Sequence, residues 1–290
     1  MKKILILVSV LMVFLLASCE KNVITYNNTD IDLATSAEVR LVYDIPLIAG
    51  TTSNITRLTY NDKLVSEVST TLGSIFPNST AKYHVVPAGT VKVDAYRSVV
   101  NPDKSITKVL QYSNTFTVIA GKKHTAFIYD LTQPPFVIQD VDAFVHTDPW
   151  LDTLCGIQFV NLLYKADGVT PYGKLFLKGR RGLGTVASPY VYLDIASCNF
   201  KEASAIIPYK LLKGTATVWS GTENGLAFVI YNADGTTLLQ YYPSSSGALT
   251  SWSATGFSLA KGRNWIFHMN GKVGAAYASQ AIRLSTIALN

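Results

Sequence analysis

AEVRLVY at 37–43 and CGIQFVN at 155–161 share one pattern of small, apolar and polar residues, 118 positions apart (155 − 37 = 118). A second pair, RLTYND (57–62) and KLFLKG (174–179), follows at an offset of 117. HVVP (84–87) then matches AIIP (205–208), GTVKV (89–93) matches GTATV (214–218), and Leu110-Gln111-Tyr112 recurs as Leu239-Gln240-Tyr241. The longest match is FTVIAGKKHTAFI (116–128) with FSLAKGRNWIFHM (257–269), each with Phe five residues before Gly. Matches kept in one order mark a duplicated unit, and a duplication decides the size of the folding unit before any single strand is assigned.

Within each copy the segments alternate polar and apolar residues, are rich in Val, Ile, Thr and Tyr, and are punctuated by Gly, Pro and Asn-Asp. That is the signature of strands and hairpins. Regular short strands without an amphipathic helix point to an all-β chain of two tandem β-sandwiches. The first is expected at 37–133 and the second at 155–290. The stretch 134–154 reads as a linker, because Pro134 and Pro135 cannot donate to a sheet ladder.

The amino-terminal end has a different character. Lys2 and Lys3 precede an apolar run, Ile4 to Leu16, broken only by Ser9. A positive start followed by a run too short to span a bilayer reads as an export signal. Leu16-Ala17-Ser18-Cys19 resembles the bacterial lipobox, in which the cysteine is acylated and the preceding residues are removed. Residues 1–18 are then a lipoprotein signal peptide and 19–36 a flexible tether. Stable anchoring takes more than one acyl chain, so a multiply acylated Cys19 holds the chain on a membrane without spanning it. Glu20 stands where an Asp would signal inner-membrane retention. The outer membrane follows, on its periplasmic face or at the cell surface.

Removal of residues 1–18 leaves 290 − 18 = 272 residues, enough for two domains. The formal charge of +6 falls to +4 once Lys2 and Lys3 are gone, too mild to imply a nucleic-acid partner. Charged residues are 15% of the chain against about 25% in an average soluble protein, so Ser, Thr, Asn and Tyr must cover much of its surface. The densest basic cluster, Lys174, Lys178, Arg180 and Arg181, reads as a solvated turn flanked by Gly179 and Gly182, the alternative being an anion site. With Cys19 acylated, Cys155 and Cys198 form one candidate disulfide pair in an oxidising compartment, the alternative being two buried thiols.

Chemistry is sparse. His84, His124, His146 and His268 stand far apart and in no zinc-binding spacing, and no Gly-x-Ser-x-Gly elbow occurs. Asp130, Asp140, Asp142, Asp148 and Asp152 gather around the linker, where oxygen ligands could hold calcium but a solvated connector is the simpler reading. We assign no metal, no cofactor and no enzymatic activity. Side chains alternate across a strand, which sorts two tryptophans. In GTVKVDAY, Val91, Val93 and Ala95 face the core while Lys92 and Asp94 face water. Aligning Gly89 with Gly214 then places Trp219 on the wet face, where it becomes the candidate binding aromatic. The last match puts Trp265 with Phe267 and Met269, in the core.

Val39-Arg40-Leu41-Val42, Tyr83-His84-Val85-Val86-Pro87-Ala88-Gly89-Thr90 and Phe116 to Thr125 together resemble domain-of-unknown-function family 4397. Ile157-Gln158-Phe159-Val160-Asn161 resembles the start of that family's repeated unit. The resemblance covers most of residues 37–271. It implies exported or lipid-anchored tandem sandwiches of the immunoglobulin or transthyretin type, and no catalytic residue. Tyr43-Asp44-Ile45-Pro46 departs from the family's His-Ala-Ser-Pro-Asp-Ala-Pro run. The resulting expectation is a structural, adhesive or partner-binding envelope module, with a protein or glycan ligand. The alternative is a glycan-binding accessory lipoprotein of a polysaccharide-uptake system.

The lipobox makes a direct prediction. Cys19→Ala should move the chain from the membrane fraction to the soluble fraction and abolish labelling by a fatty-acid probe, whereas unchanged labelling would refute acylation at Cys19.

Overall fold

In a computed structural model the described residues are 32–45, 55–67, 73–76, 83–140, 154–181, 185–187, 189–211, 227–241, 250–251, 253–255, 259, 262–273 and 282–289. Their regular secondary structure is all strand. The first half carries β1 (Ser36–Tyr43), β2 (Arg57–Tyr60), β3 (Lys63–Ser66), β4 (Ser74–Phe76), β5 (His84–Pro87), β6 (Gly89–Val100), β7 (Ile106–Val118), β8 (Lys123–Ile128) and β9 (Phe136–Gln139). The second carries β10 (Leu154–Asn161), β11 (Leu175–Arg181), β12 (Val191–Cys198), β13 (Glu202–Ala203), β14 (Ile207–Lys210), β15 (Ala227–Tyr231), β16 (Gln240–Tyr241), β17 (Thr250–Ser251), β18 (Ser253–Thr255), β19 (Asn264–Asn270) and β20 (Arg283–Leu289).

Each half is a sandwich of two sheets. In the first, β4-β1-β8-β9, with β5 also on β1, packs on β3-β2-β6-β7 around Val39, Leu41, Leu58, Tyr60, Val91 and Val93. In the second, β13-β10-β19-β20, with β14 also on β10, packs on β12-β11-β15-β18 around Ile157, Phe159, Leu175, Leu177, Phe228 and Phe267. Both β1/β8 and β10/β19 are parallel pairs with a common register: Val39 pairs with His124 as Ile157 pairs with Trp265.

The duplication reaches individual hydrogen bonds. The Gly121 amide donates to the Ser36 carbonyl and the Gly262 amide to that of Leu154, at 2.8 and 2.9 Å. The Asp44 amide bonds to Ile128 and the Leu162 amide to Met269, both at 2.8 Å. Gly121 and Gly262 share a positive φ, +69° and +71°, which only glycine adopts without strain. The first and last sequence matches are therefore structural equivalences.

Two of the middle matches are not. Val86 pairs with Ala37, whereas Tyr209, and not Ile207, pairs with Cys155, so HVVP and AIIP are out of step by two residues. A slip of two leaves every side chain on its original face and so escapes the alternation pattern. More seriously, the counterpart of β6 is β15: Tyr60 pairs with Val93 as Leu177 pairs with Ile230. Val93 thus corresponds to Ile230 and not to Val218, which removes the basis for placing Trp219. Residues 214–219 lie outside the described residues. On β6 itself Val91, Val93 and Ala95 are core as expected, but Asp94 is buried, held by Ser113 Oγ at 2.6 Å and Lys92 Nζ at 2.7 Å.

A third core joins the sandwiches, which together form one compact unit, Leu33–Asn290. Val42, Phe127, Tyr129 and Ile138 of the first half pack against Val160, Leu162, Tyr164, Ile266, Ile287 and Leu289 of the second. The two sheets that meet here are covered on both faces, which is the usual setting of parallel strands. β9 belongs to one of them, pairing Phe127 with Phe136 and Thr125 with Ile138. The expected linker therefore begins with an edge strand, and Pro134 and Pro135 only delay it: each lies before the ladder, where no amide is needed.

Two hairpin turns repeat a local motif. Asp167 accepts from the Val169 and Thr170 amides at 2.9 and 2.8 Å, and Asp234 from those of Thr236 and Thr237 at 2.8 Å each. Hydrogen bonds from Thr170 and Thr237 hold both carboxyls down at about 2. Past an irregularity at Ala95/Tyr96 the β6–β7 hairpin continues with Val100, Ile106 and Leu110 exposed.

Close packing at β10 sets a prediction. A Cβ at Gly156 would collide with the Asn264 side chain and lie 2.8 Å from Ile206 Cγ2. Gly156→Ala should lower unfolding free energy by about 1–3 kcal/mol through overpacking. Val186→Ala, at an exposed position, should stay within about 0.5 kcal/mol in the same urea melts.

Candidate binding face

β11 is paired on both sides, by β12 and β15, so its backbone is fixed over its length. Leu175, Leu177, Ile195, Phe228 and Ile230 point into the second core. Strand alternation therefore sends Lys178 and Arg180 of β11, Asp194 and Tyr192 of β12, and Tyr231 of β15 to the outer face. Tyr190, two residues before Tyr192, continues that row. It is 45% exposed and Tyr192 42%, while Tyr231 is buried beneath them.

Cations are laid on these rings. The Arg180 guanidinium carbon stands 4.5 Å from the Tyr190 ring centre, and Lys178 Nζ stands 4.5 Å from that of Tyr231. Tyr192 meets Tyr231 edge-on, 6.0 Å apart at 90°, and Tyr190 at 6.5 Å and 60°. Burial, and then the neighbouring Tyr192, raise the Tyr231 phenol above its ordinary value. Lys178 also pairs with Asp194 Oδ1 at 3.0 Å. Arg180 has no carboxylate partner among the described residues, and its Nε is buried without a hydrogen bond. The face thus combines rigid aromatic surface with a guanidinium that has no carboxylate partner among the described residues, a composition typical of binding hot spots.

This face corrects the expected turn at the basic cluster. Gly179 is a mid-strand residue whose Cβ would meet the Tyr209 hydroxyl at 2.9 Å, so glycine serves a close approach and not a bend. Tyr190, Tyr192 and Tyr231 escaped the sequence reading. A period-two pair of tyrosines was visible, but its cationic neighbours lie on a strand first read as a loop.

Other candidate residues fall elsewhere. Cys19 and Trp219 lie outside the described residues, as do Asp142, Asp148 and Asp152. Trp265 is partly buried against the second core, on the face expected. Asp130 caps its own turn through the Thr132 amide, and Asp140 is a buried counter-ion to Arg40. Neither serves a shared calcium cluster. No group of three or more metal-ligating side chains occurs among the described residues, and no described helix could cross a membrane.

Cys155 and Cys198 are both buried and unbonded, which corrects the candidate disulfide. Cys198 Sγ contacts the Phe159 carbonyl at 3.5 Å. Phe159 is four residues, about 13 Å, along β10 from Cys155, so the two thiols sit at different levels of one core. Burial pushes both up to about 12.

No family model matches the chain, and no curated protein matches it. Three solved structures overlap it weakly, each described as a candidate cell adhesion protein. The one from Bacteroides ovatus has 10% identity and a TM-score of 0.21, over 88% of this chain and 96% of its own. That from Parabacteroides distasonis has 6% and 0.23, over 88% and 97%, and that from Bacteroides eggerthii 8% and 0.22, over 88% and 95%. At such scores the binding face has to be judged on its own residues.

The cysteines can be counted chemically. In the Cys19→Ala chain, 3 − 1 = 2 cysteines remain. A thiol-specific disulfide reagent at pH 8 should titrate none in the native chain and both after unfolding without reductant, because a buried protonated thiol is unreactive. A disulfide would leave none in either state.

Proposed function

We propose that the chain is a lipid-anchored outer-membrane protein without enzymatic activity that binds a partner of the cell envelope or its surroundings. Cys19 is the anchor in this reading, and the family resemblance across residues 37–271 belongs to the same proposal. The observation that carries it is the exposed Tyr190–Tyr192 pair with Arg180 laid on the first ring. Solvent-facing tyrosines cost solubility, and their large, stiff surface is suited to contact. Two sandwiches joined by a shared core present that face on a firm support, which limits the entropy lost on binding. The glycan reading gains from the same tyrosines, since ring faces and phenols together suit the mixed apolar and hydroxylic surface of a sugar.

Cells carrying wild-type chain or Tyr192→Ala, at matched surface levels, can be compared for attachment to immobilised envelope extract. Loss of about tenfold or more in Tyr192→Ala supports the reading. Equal attachment would remove the face from the function.

A further inference from the structure

We infer that the outer face of β12-β11-β15 takes an acidic saccharide, with its carboxylate or sulfate on Arg180 and a sugar ring against Tyr190 and Tyr192. The inference rests on the proposal that this face binds a partner, and names the chemistry of that partner.

Charge on the face is unevenly committed. Lys178 is neutralised by Asp194 at 3.0 Å and held over Tyr231, so it adds little net field. Counting these three groups, Lys178 and Arg180 against Asp194, leaves one positive charge, and it resides on Arg180. That guanidinium stands over the Tyr190 ring, 4.5 Å from its centre, and lacks a carboxylate partner among the described residues. A guanidinium oriented in this way presents two parallel N–H donors, matching the two oxygens of a carboxylate or sulfate. Its backbone is fixed before binding, because Arg180 is paired with Tyr192 on one side and Ala227 on the other.

Aromatic geometry selects the rest of the ligand. Tyr190 and Tyr192 are tilted to each other and nearly half exposed, so they offer a stepped surface of ring faces, edges and phenols. Val229, the aliphatic outward residue of β15, is buried beneath this layer. A tight protein interface needs a dry apolar centre that a partner can fill. The exposed outward positions here are tyrosine and charged side chains, with no such centre. A saccharide needs none: its C–H face lies on a ring while its hydroxyls meet phenols and water.

The full chain, purified in detergent, is titrated with polygalacturonate, with dextran as a neutral glycan and polyglutamate as an acidic peptide. Polygalacturonate should bind, and binding should weaken several-fold as salt rises from about 0.05 M to about 0.5 M, where charges are screened within a few ångströms. Arg180→Lys keeps the charge but loses the fork, and should weaken binding about tenfold, as should Tyr192→Ala, with melting temperature unchanged in both. Equal affinity for dextran, tighter binding of polyglutamate, or indifference to Arg180→Lys would each overturn the inference. If polygalacturonate fails to bind while attachment to envelope extract still depends on Tyr192, the saccharide class falls and the binding face stands. If neither depends on Tyr192, both fall.

Discussion

The inner sheets of the two sandwiches are covered on both faces, so most side chains of β1, β8, β10 and β19 are buried and their polar groups depend on partners within the protein. Arg40 shows the demand most clearly. Fully buried, it donates to Thr125 Oγ1 at 2.8 Å, to Asp140 at 3.3 Å, and across to the Ala288 carbonyl of the second half at 3.0 Å. Burial lowers its pKa from the ordinary guanidinium value, while Asp140 and Tyr83 act to raise it. Asp44 is answered from the second half alone, by His268 Nδ1 at 2.7 Å and Asn270 Nδ2 at 2.8 Å. Charged and polar groups in such a place contribute less through net attraction than through the cost of leaving one of them unpaired, roughly 3–5 kcal/mol for a broken buried pair. They therefore fix how the sandwiches meet, while Phe127, Val42, Ile266 and Leu162 around them supply the apolar contact.

An aspartate, a histidine and an asparagine in contact resemble part of a catalytic array, but the setting argues otherwise. All three are fully buried, and Phe127 packs on the imidazole at 5.4 Å. The cluster belongs to the joint between sandwiches. The outer sheets are built differently: β11 and its neighbours carry tyrosines, and an arginine with no carboxylate partner among the described residues, on a backbone fixed by pairing.

How much of this was legible in the sequence depended on the period of the signal. Strand alternation identified the core positions Val91, Val93 and Ala95 of β6, and the alignment of His124 with Trp265 held to the residue because a glycine with positive φ anchors each copy. Alternation could not reveal a slip of two residues at β14, nor that AFVIY (227–231) is the partner of β11. It assigned no place to Arg40, Asp44, His268 and Asn270. Polar residues facing away from one core read as solvent-facing, and nothing local announces that a second sandwich covers that side. Arg40 lies 248 residues from its Ala288 partner and Asp44 224 from His268. Such contacts are set by the meeting of whole sheets and leave no trace in a short stretch of chain.

The shared interface is tested most directly by a double-mutant cycle on Asp44 and His268, using Asp44→Ala, His268→Ala and the double variant in equilibrium unfolding. Residues in direct contact should show a coupling of about 1–3 kcal/mol, with the double variant losing much less than the two single losses combined. Losses that add to within about 0.5 kcal/mol would mean that the two side chains do not meet, and would contradict a joint built from the inner sheets of both sandwiches.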